Sequence, residues 1–236
     1  MVLSVLIPTN DDRASQCKQL RDQLHHFLSL IDLHLWSSKY GVNGLMFSHK
    51  DNTNVYWAKD NTNVFWAIDN FSDCVELIFC RDDKSLSIGE KRNKLIEIAT
   101  GEYISFIDDD DAVTKDYFIQ FFDNLKKVDY RPDAFTLRGK ITIDNGQPEI
   151  FEHHPKYAEW KTNMLSPAQI DTEVKYERYI NHLNFIKKDI AKQITFPEKN
   201  HGEDHDYSTA LQNSKLITTF IEIPEIIYEY RYTSNK

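Results

Sequence analysis

The chain is poor in the residues that break or staple a fold. Only seven glycines and seven prolines occur in 236 residues, too few for a collagen-like or linker-like polypeptide. The three cysteines, Cys17, Cys74 and Cys80, are odd in number and lack C-x-x-C spacing. That argues against a disulfide framework or structural zinc and for a reducing compartment. No apolar run approaches the ~20 residues of a membrane span. The opening run Val2–Ile7 stops at Pro8 and Asn10-Asp11-Asp12, too short for a secretory signal and without its basic start. Basic charge is in deficit, with 28 Lys and Arg against 37 Asp and Glu for a net −9, so a non-specific grip on nucleic acid is not expected. G-x-G-x-x-G, G-x-x-x-x-G-K-[ST] and H-E-x-x-H are all missing, which removes the commonest dinucleotide, P-loop and zinc-protease signatures. A soluble cytoplasmic protein is expected, with a peripheral place at a membrane left open.

What the chain does have is material for a core, at 41% hydrophobic and 13% aromatic residues, which excludes wholesale disorder. Val2–Ile7 reads as a strand buried on both faces. An apolar stripe from Leu20 through Leu24, Phe27, Leu28 and Ile31 to Leu35 predicts a helix over about 14–36. Val75–Cys80 reads as another buried strand. Ser87-Ile-Gly-Glu90 has the form of a capping box, and the helix it opens should stop at Thr100-Gly101. Tyr103–Ile107 predicts a third strand, and Phe118, Phe121, Phe122 and Leu125 mark a further helix. Strand-like runs follow at 134–137, 140–143, 216–221 and 226–230, with helices near 187–194 and 204–212. Strands alternating with helices in this order argue a parallel or mixed sheet of the α/β class.

A nine-residue tandem repeat stands apart. Asp51-Asn-Thr-Asn-Val-Tyr-Trp-Ala-Lys59 is followed by Asp60-Asn-Thr-Asn-Val-Phe-Trp-Ala-Ile68. Two copies are too few for a solenoid. The pattern predicts a turn–strand–turn–strand excursion on the surface, or an aromatic platform carried by Trp57 and Trp66.

The sharpest chemical signal is Asp108-Asp109-Asp110-Asp111, directly after an apolar strand. Two like charges ~4 Å apart cost about 4 kcal/mol at an effective dielectric of 20. Side chains alternate along a strand, so Asp108 and Asp110 should share one face and Asp109 and Asp111 the other. A same-face carboxylate pair at a strand's carboxyl end suits a hard divalent cation. A helix start carrying Gly89, Lys91 and Arg92 offers free N–H groups and positive charge to an anion. His201-Gly202-Glu203-Asp204 precedes a helix and reads either as dipole-complementing acid or as an exposed general base.

Taken in chain order, Val5-Leu-Ile-Pro-Thr-Asn10, Ser87-Ile-Gly-Glu-Lys-Arg-Asn93, Gly101-Glu-Tyr-Ile-Ser-Phe-Ile-Asp-Asp-Asp-Asp111 and Gly202-Glu-Asp204 resemble the signature of family-2 glycosyltransferases of the GT-A fold. The resemblance is dense over Val75–Phe118, thinner over Val2–Asp12, and returns at His182–Tyr207. It implies one domain with a mixed, mainly parallel central sheet flanked by helices. Residues 1–130 would form a nucleotide-sugar half with a repeat-bearing insertion at about 43–70, and 131–236 an acceptor half. It implies Asp108 and Asp110 as ligands to Mn²⁺ or Mg²⁺, and Asp204 as catalytic base with Glu203 beside it. Pro8, Thr9, Asn10, Asp11, Asp82, Asp83 and Asp109 would bind the nucleotide sugar, with Gly89, Lys91 and Arg92 near the donor phosphates. The implied reaction is inverting transfer from a UDP-sugar to a carbohydrate or other hydroxyl acceptor. A sugar nucleotidyltransferase and a non-catalytic carbohydrate-binding protein are the rivals. The first ordinarily carries a glycine-rich basic loop after strand one, where this chain has Pro8-Thr-Asn-Asp-Asp12.

Overall fold

The computed structural model describes residues 1–29, 58–59, 64–71 and 74–234. The strand β1 (Leu3–Asn10) organises the main sheet, because both of its faces are buried. Leu3, Val5 and Ile7 enter one hydrophobic core, with Leu20, Leu24 and Leu28 of α1 (Ala14–Ser29). Leu6 enters a second core on the opposite face, with Leu95 and Ile96 of α2 (Ile88–Ile98). Period-two alternation along a strand requires this division. The stretch of the first predicted helix beyond Ser29 lies outside the described residues, as does Trp57.

β1 pairs in parallel with β4 (Val75–Asp82), from Leu3 opposite Val75 to Asn10 opposite Asp82. On its other side it pairs in parallel with β5 (Tyr103–Phe106). Three carboxyl ends therefore reach one edge together, carrying Asn10, Asp82 and the segment that enters the aspartate run. In open α/β sheets this edge is where ligands bind.

The remainder of the sheet is less parallel than expected. Among the described residues its eight strands run β13 (Phe220–Ile221), β7 (Ala134–Phe135), β12 (Ile186–Lys187), β5, β1, β4, β3 (Phe65–Phe71) and β2 (Ala58–Lys59). β12 is antiparallel to both of its neighbours, and β3 is antiparallel to β4. Of the second nonapeptide copy, residues 64–68 are described, and the strand expected there is part of the main sheet: β3 lies along β4 from Phe65 opposite Arg81 to Phe71 opposite Val75, and Val64 is fully buried.

A second sheet, which the sequence did not suggest, has six strands. Its order is β10 (Lys161–Thr162), β11 (Val174–Arg178), β9 (Glu149–His153), β8 (Leu137–Ile143), β14 (Ile226–Tyr232) and β6 (Ala112–Val113). Leu137, Phe151 and Tyr228 of this sheet join the β1–α1 core, together with Phe118, Phe121 and Phe122 of α3 (Asp116–Lys126). The remaining α-helices among the described residues are the short α4 (Lys188–Ala191) and the longer α5 (Glu203–Ser214). No helix among the described residues is long and apolar enough to cross a membrane.

The predicted capping box forms. Ser87 Oγ accepts from Glu90 N at 3.2 Å, and Glu90 accepts from Ser87 N at 2.8 Å. Gly101 has a different role from the expected left-handed helix stop. A Cβ there would lie 2.5 Å from Ser4 Oγ and 2.6 Å from Ser4 N, so the position admits no side chain. The contact is locked by Glu76, a buried carboxylate in the middle of the sheet. It accepts from Ser4 Oγ at 2.5 Å, Thr100 N at 2.6 Å and Gly101 N at 3.2 Å. Removing it strands several buried donors, each costing about 1–3 kcal/mol. Glu76→Ala is therefore expected to lower the melting temperature by on the order of 5–10 °C in a chain of this size. A change of under about 2 °C in a thermal melt would show that the lock is dispensable.

Candidate active site

β5 ends at Phe106, and the aspartates that follow form a turn closed by Asp111 N donating to Asp108 O at 3.0 Å. The alternation expected of a continuing strand therefore does not hold. Asp108, Asp109 and Asp110 all line one cavity of about 620 Å³. Asp111 turns away beneath it, accepting from Tyr228 OH and from Arg231 N, each at 2.8 Å. Burial, reinforced by the Asp108 charge, raises the Asp111 pKa well above the usual carboxylate range.

Two arginines serve the acids on the wall. Arg13 donates to Asp109 at 2.6 Å and lies 3.5 Å from Asp110. Asp109 is buried, and burial raises its pKa despite Thr9 and Arg13. Arg92 is buried and donates from Nη2 to both Asp108 oxygens, at 2.8 and 3.1 Å. Its Nη1 reaches Glu203 Oε1 at 2.5 Å, while the guanidinium carbon stands 5.8 Å from the Phe106 ring and 5.5 Å from the Phe196 ring. Burial alone would raise the Asp108 pKa, but the Arg92 charge holds it far below the ordinary value.

The start of α2 does not offer the open anion site that the sequence suggested. Ile88 N donates to Asn200 Oδ1, Gly89 N to Lys199 O, Glu90 N to Ser87 Oγ and Lys91 N to Ser87 O. Those first-turn donors are already used. Gly89 is required for packing instead, since a Cβ there would lie 1.9 Å from Pro197 O. Lys91 is also engaged: Nζ donates to Thr9 O at 2.9 Å and pairs with the fully buried Asp82.

Of the residues expected around a nucleotide sugar, Pro8, Thr9, Asn10, Lys91, Arg92 and Asp109 line this first cavity, as do Asp108 and Asp110, expected as metal ligands. Asp11, Asp82 and Asp83 line neither cavity. Asp11 pairs with Arg81 at 3.1 Å, Asp82 anchors Lys91, and Asp83 accepts from Ser85 N at 3.2 Å. Sequence reasoning missed Arg13 and the β14 residues Tyr230, Arg231 and Tyr232, which also line the cavity. The β14 run had signalled only a strand, and nothing local placed it opposite the aspartates.

A second cavity of about 370 Å³ lies against the first. Arg92, Asp108 and Glu203 belong to both walls, whereas Asp110 faces only the first and Asp204 only the second. Glu203 and Asp204 open α5, immediately after Gly202, whose φ of 72° is the left-handed conformation that glycine accepts most readily. Burial separates the two acids: Glu203 is buried against Arg92, while Asp204 is partly exposed. Trp160, Tyr176 and Arg178 line the second cavity, with the Arg178 guanidinium carbon 4.7 Å from the Trp160 ring.

Residues 67–131 match the family model described as Glycosyl transferase family 2, the segment in which the sequence resemblance is dense. No curated protein sequence matches this chain. The fold is shared with structures of TarS from S. aureus, residues 1–349. The TarS complex with UDP-GlcNAc superposes with a TM-score of 0.56 at 15% identity, over 98% of this chain and 58% of that one. The complex with UDP gives 0.53 at 16% identity, over 98% and 60%. The chain thus spans about 58–60% of the length of these structures. The resemblance read from the sequence stands over this segment, and the mixed α/β architecture is shared with the TarS structures.

His153, in the wall of the second cavity, gives the site a pH signature. Its Nδ1 pairs with Asn184 Oδ1 at 3.0 Å, and burial pushes its pKa down to about 3. The unfolded chain takes up this proton near pH 6.5. The folded value is depressed, so the contribution is fully present above pH 6.5 and is lost as pH falls from there toward 3. His153→Gln keeps a donor for Asn184 but does not titrate. Between pH 6.5 and 4.5 it is expected to lose about 2–3 kcal/mol less stability than the parent protein. Urea melts at both pH values measure this, and identical losses in the two proteins would contradict it.

Proposed function

We propose that this protein is a glycosyltransferase that moves a sugar from a nucleoside-diphosphate sugar, a UDP-sugar first among them, to a hydroxyl of a carbohydrate or other acceptor. The observation that carries this reading is the pair of adjoining cavities with one common wall. Asp110 faces the first and Asp204 the second, across Arg92, Asp108 and Glu203. A direct displacement needs this division, with leaving group and attacking hydroxyl on opposite sides of the anomeric carbon. The UDP-GlcNAc and UDP complexes of TarS, on the same fold, support the choice of donor. The acidic turn at Asp11-Asp12, with no glycine-rich loop after β1, favours this reading over nucleotidyl transfer.

The residues fit a divalent cation of the Mn²⁺ or Mg²⁺ class that arrives with its substrate. Asp108 and Asp110 put hard oxygen donors on the first cavity's wall. Among the described residues no three His, Cys, Asp or Glu side chains converge to hold an ion unaided. That matches a metal held by one or two carboxylates plus substrate phosphates. Such an ion, when bound, supplies charge to the departing diphosphate. The remaining steps belong to the chain itself. Asp204 accepts the proton of the acceptor hydroxyl as it attacks, and inversion then needs no covalent enzyme intermediate. Arg92 fixes Asp108 and Glu203, so the wall keeps its shape between the two substrates.

Asp204→Asn should lower transfer by about 10²–10⁴-fold, with UDP affinity within about twofold of the parent. Asp110→Asn should weaken UDP binding at least tenfold in Mn²⁺ and change it little in EDTA, as expected when one of two carboxylate ligands is removed. Turnover and calorimetric affinity for both variants test the reading. An Asp204→Asn protein that transfers at the parental rate, or parental UDP affinity that is the same in Mn²⁺ and EDTA, would overturn the respective half.

A further inference from the structure

His182 is used by nothing described so far. Its ring is buried, at 5% exposure, and lines the second cavity. Among the described residues neither Nδ1 nor Nε2 has a hydrogen-bond partner. The nearest carboxylate oxygen, Asp108 Oδ2, lies 3.9 Å from Nε2, beyond hydrogen-bonding reach, and both Asp108 oxygens already accept from Arg92. Phe106 and Phe196 meet the ring edge to face, with centroids at 5.9 and 6.1 Å. An imidazole always carries at least one N–H donor, and leaving a buried polar group unpaired destabilises the protein that contains it.

The ring is not misplaced through slack in its loop. Phe106 N donates to His182 O at 3.0 Å, and Asn181 Oδ1 accepts from Leu183 N at 3.0 Å. Asn184 is fully buried; its Oδ1 accepts from Asn181 N at 3.0 Å and its Nδ2 donates to Phe135 O at 2.9 Å. The His182-Leu-Asn184 segment, where the sequence resemblance returns, is therefore a rigid bracket, with Asn184 as the fastening and His182 as the group it presents.

We propose that His182 binds the acceptor, hydrogen-bonding a hydroxyl of a neutral carbohydrate held in the second cavity. This rests on the reading of that cavity as the acceptor side. A hydroxyl donates and accepts, so it satisfies either tautomer of a neutral imidazole. An anionic group at the same place would face the carboxylates of Asp108, Glu203 and Asp204 on the same wall. The rings of Trp160, Tyr176 and Tyr230 line the cavity as well, offering apolar faces to the body of a sugar.

The test uses the full chain labelled with ¹⁵N at histidine and titrated with glucose, N-acetylglucosamine and glycerol. The His182 ring signals, assigned by their loss in His182→Gln, are expected to shift saturably with at least one of these probes. Calorimetric Kd for that probe should weaken tenfold or more in His182→Leu and return to within about threefold of the parent in His182→Gln. Because an unpaired buried polar group is removed, His182→Leu should melt at the parental temperature or about 2–5 °C above it. His182 signals that stay still with every probe, or a His182→Leu variant that melts lower and binds the probe equally well, would overturn the proposal. UDP binding by the parent protein is measured alongside. Silent His182 signals in a protein that binds UDP refute only the role of His182, whereas failure to bind UDP with Mn²⁺ refutes the glycosyltransferase reading.

Discussion

A buried guanidinium holds the site together. Arg92 projects from α2 and reaches Asp108 at the end of β5 with one nitrogen and Glu203 at the start of α5 with another. Three elements distant in sequence are thereby fixed at one point. A lysine could not do this, because only the planar fork of arginine donates in two directions from one rigid group. Desolvating the charge is costly unless its partners are close and well oriented, and here both carboxylates lie within 2.8 Å of the fork. The outcome is a wall with one cavity on either side.

The wall carries more negative than positive charge. Arg92 stands between two carboxylates, and Asp109 and Asp110 share Arg13. Asp111 escapes the crowding by turning inward to Tyr228 and the Arg231 backbone, where burial raises its pKa well above the usual range. Lys91 does not relieve the wall, since Asp82 and the Thr9 carbonyl already engage it. The proposed Mn²⁺ or Mg²⁺ would offset this excess.

How much of this the sequence disclosed follows from what is local. β1, β4 and β5 were legible as near-continuous apolar runs, and the capping box of Ser87 and Glu90 formed as read. The aspartate turn was visible as a cluster of charge, but its geometry was not: strand alternation was extended past Phe106, where the strand stops. Gly101 was read as a helix stop and Gly89 as part of an anion site, whereas each is required because Ser4 or Pro197 approaches too closely for a Cβ. The second sheet was illegible because its ladders join distant segments, such as β8 with β14. For the same reason the β14 side of the first cavity went unseen. The pairing of Arg92 with Glu203 is likewise long-range, although both residues had been singled out separately.

A double-mutant cycle across Arg92 and Glu203 tests most directly the claim that this ion triad fixes the wall. Arg92→Met leaves two carboxylates without their cation and should cost about 3–5 kcal/mol in urea unfolding. With Glu203→Gln added, the combined loss should fall short of the sum by about 1–3 kcal/mol, the coupling expected of side chains in direct contact. Losses that add to within about 0.5 kcal/mol would contradict the account, because Arg92 and Glu203 would then be neighbours that do not depend on one another.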